Sequence, residues 1–209
     1  MRQNSPCRAA AFLWDNGAVH FVAMPMTHSA VLLMDLQADF LARDGRLPVD
    51  QAEVGRIIAT ANAVLGGLLL PDALPVLVLN QFPASDRVAN FFRHDAAVAG
   101  SAGAQLDSRI QARADIATIT KASSSAFTNP QLVKLLRAHG VQQLTIFGVF
   151  AEGCVRATAL DAIRHGYQVT VPDDAIGSNA NVKRRFASWA MRRAGVNLVP
   201  TLLAGQKTA

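Results

Sequence analysis

Six short, largely apolar runs, most of them separated by a stretch with helical spacing, constrain this chain more than any single motif does. Val31-Leu32-Leu33-Met34 is continuous rather than alternating, as a strand covered on both faces should be, and it stops at Asp35. Val54, Ile57, Ile58, Ala61, Leu65 and Leu68 then fall at helical spacing, and Val76 to Leu79 follows Pro75 as a second strand. Ile116 to Thr120 is the third strand, ending at Lys121, and Leu144 to Phe147 is the fourth. Between them a helix has Asn129 as N-cap, Pro130 at its first position, Leu132, Leu135 and Leu136 inward, and Gly140 past its end. A helix from about Gly153 carries Val155, Ala159, Ala162 and Ile163 on one face and stops at Gly166. Tyr167 to Val171 is the fifth strand, a helix holding Phe186 and Trp189 ends at Gly195, and Leu198-Val199 opens the sixth. This alternation predicts an α/β fold: a doubly wound, six-stranded, mostly parallel sheet with helices on both faces.

Composition bounds the partners. The 209 residues are 51% apolar, enough to bury a sheet on both sides, and no apolar run approaches the roughly 18 residues that cross a bilayer. Lys and Arg outnumber Asp and Glu by 20 to 15, and the one compact basic cluster is Lys183, Arg184 and Arg185 with Arg192 and Arg193. It fits the solvated face of a helix, so neither nucleic acid nor membrane is expected as a partner. Cys7 and Cys154 make no disulfide framework or paired metal motif, and a reducing, cytoplasmic setting is expected. Residues 1–29 are set apart as an N-terminal extension, with an apolar run at Ala9–Trp14 too short for a signal-peptide core. They are read as native sequence, as a targeting segment, or as sequence upstream of a start at Met24 or Met26, leaving residues 30–209 as one domain.

Only the stretch from about Gln81 to Ala114 breaks the alternation. Long connections in compact domains tend to be lids or binding loops, and Phe82, Phe91 and Phe92 are expected to wall a substrate pocket there.

Several chemistries are absent. There is no GxxxxGK[ST], no GxGxxG after the first strand and no GxSxG, which removes the P-loop, the dinucleotide loop and the serine elbow. The five histidines never form HxH or HxxxH, and no metal and no cofactor are expected. Cys154 lies just beyond a buried strand in the first turn of a helix, where free N–H groups and the helix dipole would stabilise a thiolate.

Asp35 and Lys121 also end strands. In an open parallel sheet, ligands bind beyond the carboxyl ends of the strands where the strand order reverses. With the order 3-2-1-4-5-6, the first and fourth strands are neighbours at that reversal, and Asp35 and Cys154 face one crevice. A carboxylate can take the thiol proton, while a nearby ammonium keeps that carboxylate ionised and stabilises the thiolate.

At these residues the sequence resembles the isochorismatase-like cysteine hydrolases, which include nicotinamidases, N-carbamoylsarcosine amidohydrolases and related amidases. The matching segments are Ala30 to Phe40, Lys121 with Ser125-Ala126-Phe127, Gly148 to Val155, Ala157 to Ala162, Gly166 to Val169 and Asp174-Ala175, in the family's order across residues 30–202. The resemblance implies an Asp, Lys, Cys triad at Asp35, Lys121 and Cys154. It further implies a cis peptide at Val149–Phe150, an oxyanion hole from the Phe150 and Cys154 N–H groups, and a substrate-facing aromatic at Phe40. Ala151 stands where a threonine is often found. Around Asn80 to Asp86, where nicotinamidases place an Asp and histidines that hold a metal, this chain has no histidine, which disfavours nicotinamide as substrate.

The expected function is metal-independent cleavage of a C–N bond in a small amide, ureido or carbamoyl compound through a thioester, by a homo-oligomer, dimer or tetramer. A catalytically silent scaffold of the same fold and an isochorismatase-type ether hydrolase are the alternatives; vinyl-ether hydrolysis needs no thiol, whereas Cys154 is present. Glu152, beside that thiol, suits the helix dipole but would oppose a thiolate.

Overall fold

The computed structural model describes residues 28–202, together with two strands upstream, β1 (Ala10–Asp15) and β2 (Ala18–Ala23). These two pair antiparallel, with Phe12 opposite Phe21. The remainder of the extension, and Cys7 with it, lies outside the described residues.

The main elements follow the apolar runs closely. They are β3 (Ser29–Met34), α1 (Ala38–Leu41), α2 (Gln51–Leu65), β4 (Leu74–Asn80), α3 (Arg87–Phe92), β5 (Ala117–Lys121) and α4 (Pro130–Ala138). After them come β6 (Gln143–Val149), α5 (Arg156–Arg164), β7 (Gln168–Pro172), β8 (Ile176–Gly177), α6 (Asn181–Arg193) and β9 (Asn197–Val199). The sheet runs β5-β4-β3-β6-β7-β9, the expected 3-2-1-4-5-6 order, and every pair in it is parallel. A seventh strand was missed: β8 is two residues long and pairs with Gly148 and Val149 at the end of β6, too short to leave an apolar run.

Central position explains the continuous apolar strand. β3 lies between β4 and β6, and Ala30 through Met34 are all buried. The caps also follow the sequence: Asp50 accepts from Ala52 N–H at the start of α2, and Asn129 from Gln131 N–H at the start of α4. Leu68 lies beyond the end of α2, because that helix stops at Leu65. α6 buries Ala187, Ser188 and Met191, so Phe186 and Trp189 fall on its solvent side.

The Gln81–Ala114 connection is ordered by short local structure. It contains α3 and a 3-10 turn at Ala102–Ala104, and bridges join Phe82 to Val98 and Leu106 to Gln37. Asp39 supports it from beneath: its buried carboxylate accepts the Ala97 N–H at 2.8 Å, and a side chain at Gly103 would strike that carboxylate.

Candidate active site

Parallel pairing sets the strand ends side by side. Met34 lies opposite Val78 on β4 and Gly148 on β6, and Asn80 lies opposite Lys121. Asp35 is the next residue after Met34, and its φ of 54° turns the chain as β3 ends. Aspartate tolerates this left-handed region better than most residues, and such backbone outliers concentrate at functional sites. Gly148 has φ 123°, and a Cβ there would run into the Met34 backbone, so only glycine lets β6 end this close to β3.

Three groups expected from the sequence meet at this edge. Lys121 Nζ lies 3.0 Å from Asp35 Oδ2 and 3.2 Å from Cys154 Sγ. Lys121 is buried rather than solvated: its side chain is 0% exposed and that of Asp35 is 1%. Asp35 Oδ1 is also buried and has no hydrogen-bond partner among the described residues.

Burial prevails at Asp35 and Cys154 but not at Lys121. It pushes the Asp35 carboxyl above the usual range, against the pull of the Lys121 ammonium. Burial alone would lower Lys121, but the Asp35 and Cys154 charges outweigh it and its pKa ends above the ordinary lysine value. Cys154 departs from the sequence expectation of a stabilised thiolate. Burial, and then the Asp35 carboxylate, push its thiol up to about 12, more than Lys121 and Asn80 pull it down. Its local structure differs too, since the chain enters α5 through a π-helical turn at Ala151–Val155 with Cys154 inside it. Burial thus disfavours the charged form of both the Cys154 thiol and the Asp35 carboxyl.

Asn80 and Gln37 belong to this site, and the motifs did not single them out. Asn80 Oδ1 accepts from Lys121 Nζ at 2.7 Å, and Asn80 Nδ2 lies 3.6 Å from Cys154 Sγ. Gln37 grips the main chain of Asn80, accepting its N–H at 2.8 Å and donating to its carbonyl at 2.7 Å, and donates also to Ala104 O at 2.7 Å. Ser123 O takes a further Lys121 proton at 3.0 Å. Farther along the same loop, Ala126 N–H donates to Thr158 Oγ1 and joins the segment after β5 to α5.

The aromatic residues divide. The Val149–Phe150 peptide is cis, and Phe40 is buried with its ring edge-on to Phe150, centroids 5.4 Å apart. Phe82 is buried with the Arg93 guanidinium 3.8 Å from its ring centroid. Phe91 and Phe92 are 75% and 77% exposed and do not form an enclosed pocket wall in this chain. The buried residue of α3 is Asn90, which donates to Pro83 O, and this turns its two neighbours outward. Glu152 Oε2 is buried without a hydrogen-bond partner among the described residues, and no side-chain cap closes its turn.

A family model described as an isochorismatase domain matches residues 29–201, most of the chain. The chain belongs to the isochorismatase family. A 75-residue stretch is 39% identical to the probable hydrolase YcaC of Escherichia coli K12 and covers 36% of each chain. A 79-residue stretch is 37% identical to the N-carbamoylsarcosine amidase of an Arthrobacter species, covering 38% of this chain and 30% of that one. The chain thus matches about a third of the length of these curated relatives. The pyrazinamidase of Pyrococcus horikoshii, solved in complex with zinc, superposes with a TM-score of 0.73 at 29% identity over 82% of this chain and 98% of that one.

Among the described residues of this chain no three His, Cys, Asp or Glu side chains are grouped to hold a metal ion. The end of β4 presents Asn80, Gln81 and Phe82, with the Asn80 oxygen committed to Lys121 and the Phe82 ring covered by Arg93. No helix among the described residues is long and apolar enough to cross a membrane.

Proposed function

We propose that the chain is a cysteine hydrolase that cleaves a C–N bond of a small amide, ureido or carbamoyl compound without a metal. One observation carries the reading: a single ammonium, Lys121 Nζ, touches both the Asp35 carboxylate and the Cys154 sulfur at the strand ends, with the Lys121 and Asp35 side chains buried. The amidase among the relatives supports the bond type.

As the sulfur attacks the carbonyl carbon, the thiol proton passes to Asp35, whose unpartnered Oδ1 is free to accept it. The S–C bond forms and the carbonyl π pair moves onto oxygen. The Phe150 and Cys154 N–H groups hold that oxyanion, an effect worth about 3 kcal/mol per donor. The tetrahedral species collapses, the C–N bond breaks, and Asp35 returns its proton to the leaving nitrogen. Water then gives a proton to Asp35 and adds to the thioester. The C–S bond breaks and the sulfur recovers the proton from Asp35. Lys121 stays protonated throughout and balances whichever neighbour carries the charge.

Phe40, with Phe150 behind it, is the aromatic wall of the substrate side in this reading, and the enzyme works as a cytoplasmic dimer or tetramer. The test is ammonia release across a panel of amides, ureas and carbamoyl compounds, comparing the intact protein with Cys154→Ala. At least one compound should be hydrolysed by the intact protein and not by the variant. Equal activity from the two proteins would overturn the proposal.

A further inference from the structure

We propose that Asn80 is a further catalytic residue, supplying the second hydrogen-bond donor to the Cys154 sulfur when its proton leaves; this rests on the thiol-hydrolase reading above.

Donor counting leads to it. An ammonium has three N–H groups and no acceptor. Four acceptors surround Lys121 Nζ: Asn80 Oδ1 at 2.7 Å, Asp35 Oδ2 and Ser123 O at 3.0 Å, and Cys154 Sγ at 3.2 Å. Three protons cannot serve all four together, and a neutral thiol is the weakest acceptor of the set. The demand inverts after proton transfer, because the charge then sits on sulfur and the carboxyl is neutral. Lys121 can turn one N–H toward the sulfur while Asn80 Oδ1 and Ser123 O hold the other two. A buried thiolate still needs more than one donor.

The amide of Asn80 is oriented to give the second. Because an ammonium cannot accept, the oxygen must face Lys121, and this leaves Nδ2 on the side of the sulfur, at 3.6 Å. That distance suits a weak contact to a neutral thiol and shortens as charge develops. The amide can accept from the lysine and donate to the sulfur from one side chain. An aspartate would keep the lysine and lose the donor.

Gln37 makes the idea testable. It holds Asn80 through main-chain N–H and C=O, at 2.8 and 2.7 Å, so changing the Asn80 side chain leaves that clamp in place.

The experiment follows Cys154 alkylation by iodoacetamide from neutral to strongly alkaline pH in the full chain and in Asn80→Ala and Asn80→Asp, with thermal melts alongside. Asp35→Asn and Lys121→Met are measured in parallel. Both Asn80 variants should alkylate about tenfold more slowly than wild type from neutral to mildly alkaline pH, and Asn80→Asp should be the slower. A structural role alone would lower the melting temperature without slowing alkylation, and would overturn the inference. Wild-type profiles in both Asn80 variants would overturn it too. If Asp35 and Lys121 replacements still shift the profile in that case, only the Asn80 role falls. If they also leave it unchanged, the thiol-hydrolase reading falls with it.

Discussion

Lys121 reaches Asp35 across an intervening strand, closing a 3.0 Å ion pair between β5 and β3 over the end of β4. The pair is buried, and an ion pair in such a place is weak evidence for stability, because desolvation of both charges offsets their attraction. Its value is positional: it brings a cation and a carboxylate to one sulfur.

Asp35→Asn separates nucleophile reactivity from turnover. After burial, the Asp35 carboxylate is the largest influence raising the Cys154 thiol, while Lys121 remains to lower it. The variant should therefore alkylate faster than wild type at mildly alkaline pH, yet lose amide turnover by about 100-fold or more because no base takes the proton. Alkylation rates and ammonia release on the same preparation check both signs.

Lys121→Met leaves the buried Asp35 without its cation. Removing one partner of a buried pair costs about 3 kcal/mol or more at neutral pH. Without the ammonium the Asp35 carboxyl protonates more readily, so the deficit relative to wild type should shrink as pH falls. Urea denaturation at neutral and acidic pH reads the difference.

The pH profile has a set sign. Asp35 must be ionised to act as base, so kcat/KM should rise with pH as it loses its proton, and burial places that limb above its ordinary value of 3.8. Between 3.8 and the folded value the native state holds a proton that the unfolded chain releases, so the contribution of Asp35 to stability falls as pH rises through that window. For Lys121, with a raised folded value, the contribution is full below 10.5 and is lost only as pH climbs through the higher folded value. Activity and stability profiles measured on one sample test both.

Gly148→Ala should damage the site from outside it. The residue combines φ 123° with a collision against the Met34 backbone, one residue before Asp35. A loss of about 2 kcal/mol or more is expected, together with loss of turnover. Thermal melts and ammonia release measure the two effects.

Asp35, Lys121 and Cys154 were legible because each lies at or just beyond the carboxyl end of a strand, and parallel pairing sends every such strand end to one edge. Asn80 ends a strand as well, but its part depends on which atoms of Lys121 and Cys154 flank it, and no spacing encodes that. The shift of the Cys154 thiol was misjudged for a related reason: a helix start argues for lowering, and the burial that outweighs it exists only in the packed fold. Phe91 and Phe92 misled because a six-residue helix gives too little periodicity to tell its faces apart. β8 escaped because two residues make no pattern.

The central claim is that Cys154 carries the acyl group after Asp35 takes its proton. Rapid acid quench during turnover, followed by peptide mass mapping, tests it most directly. The account predicts an acyl mass on the peptide containing Cys154 that hydroxylamine removes and that Cys154→Ser does not form as a thioester. Steady turnover with no adduct on that peptide, and undiminished in Cys154→Ala, would contradict it.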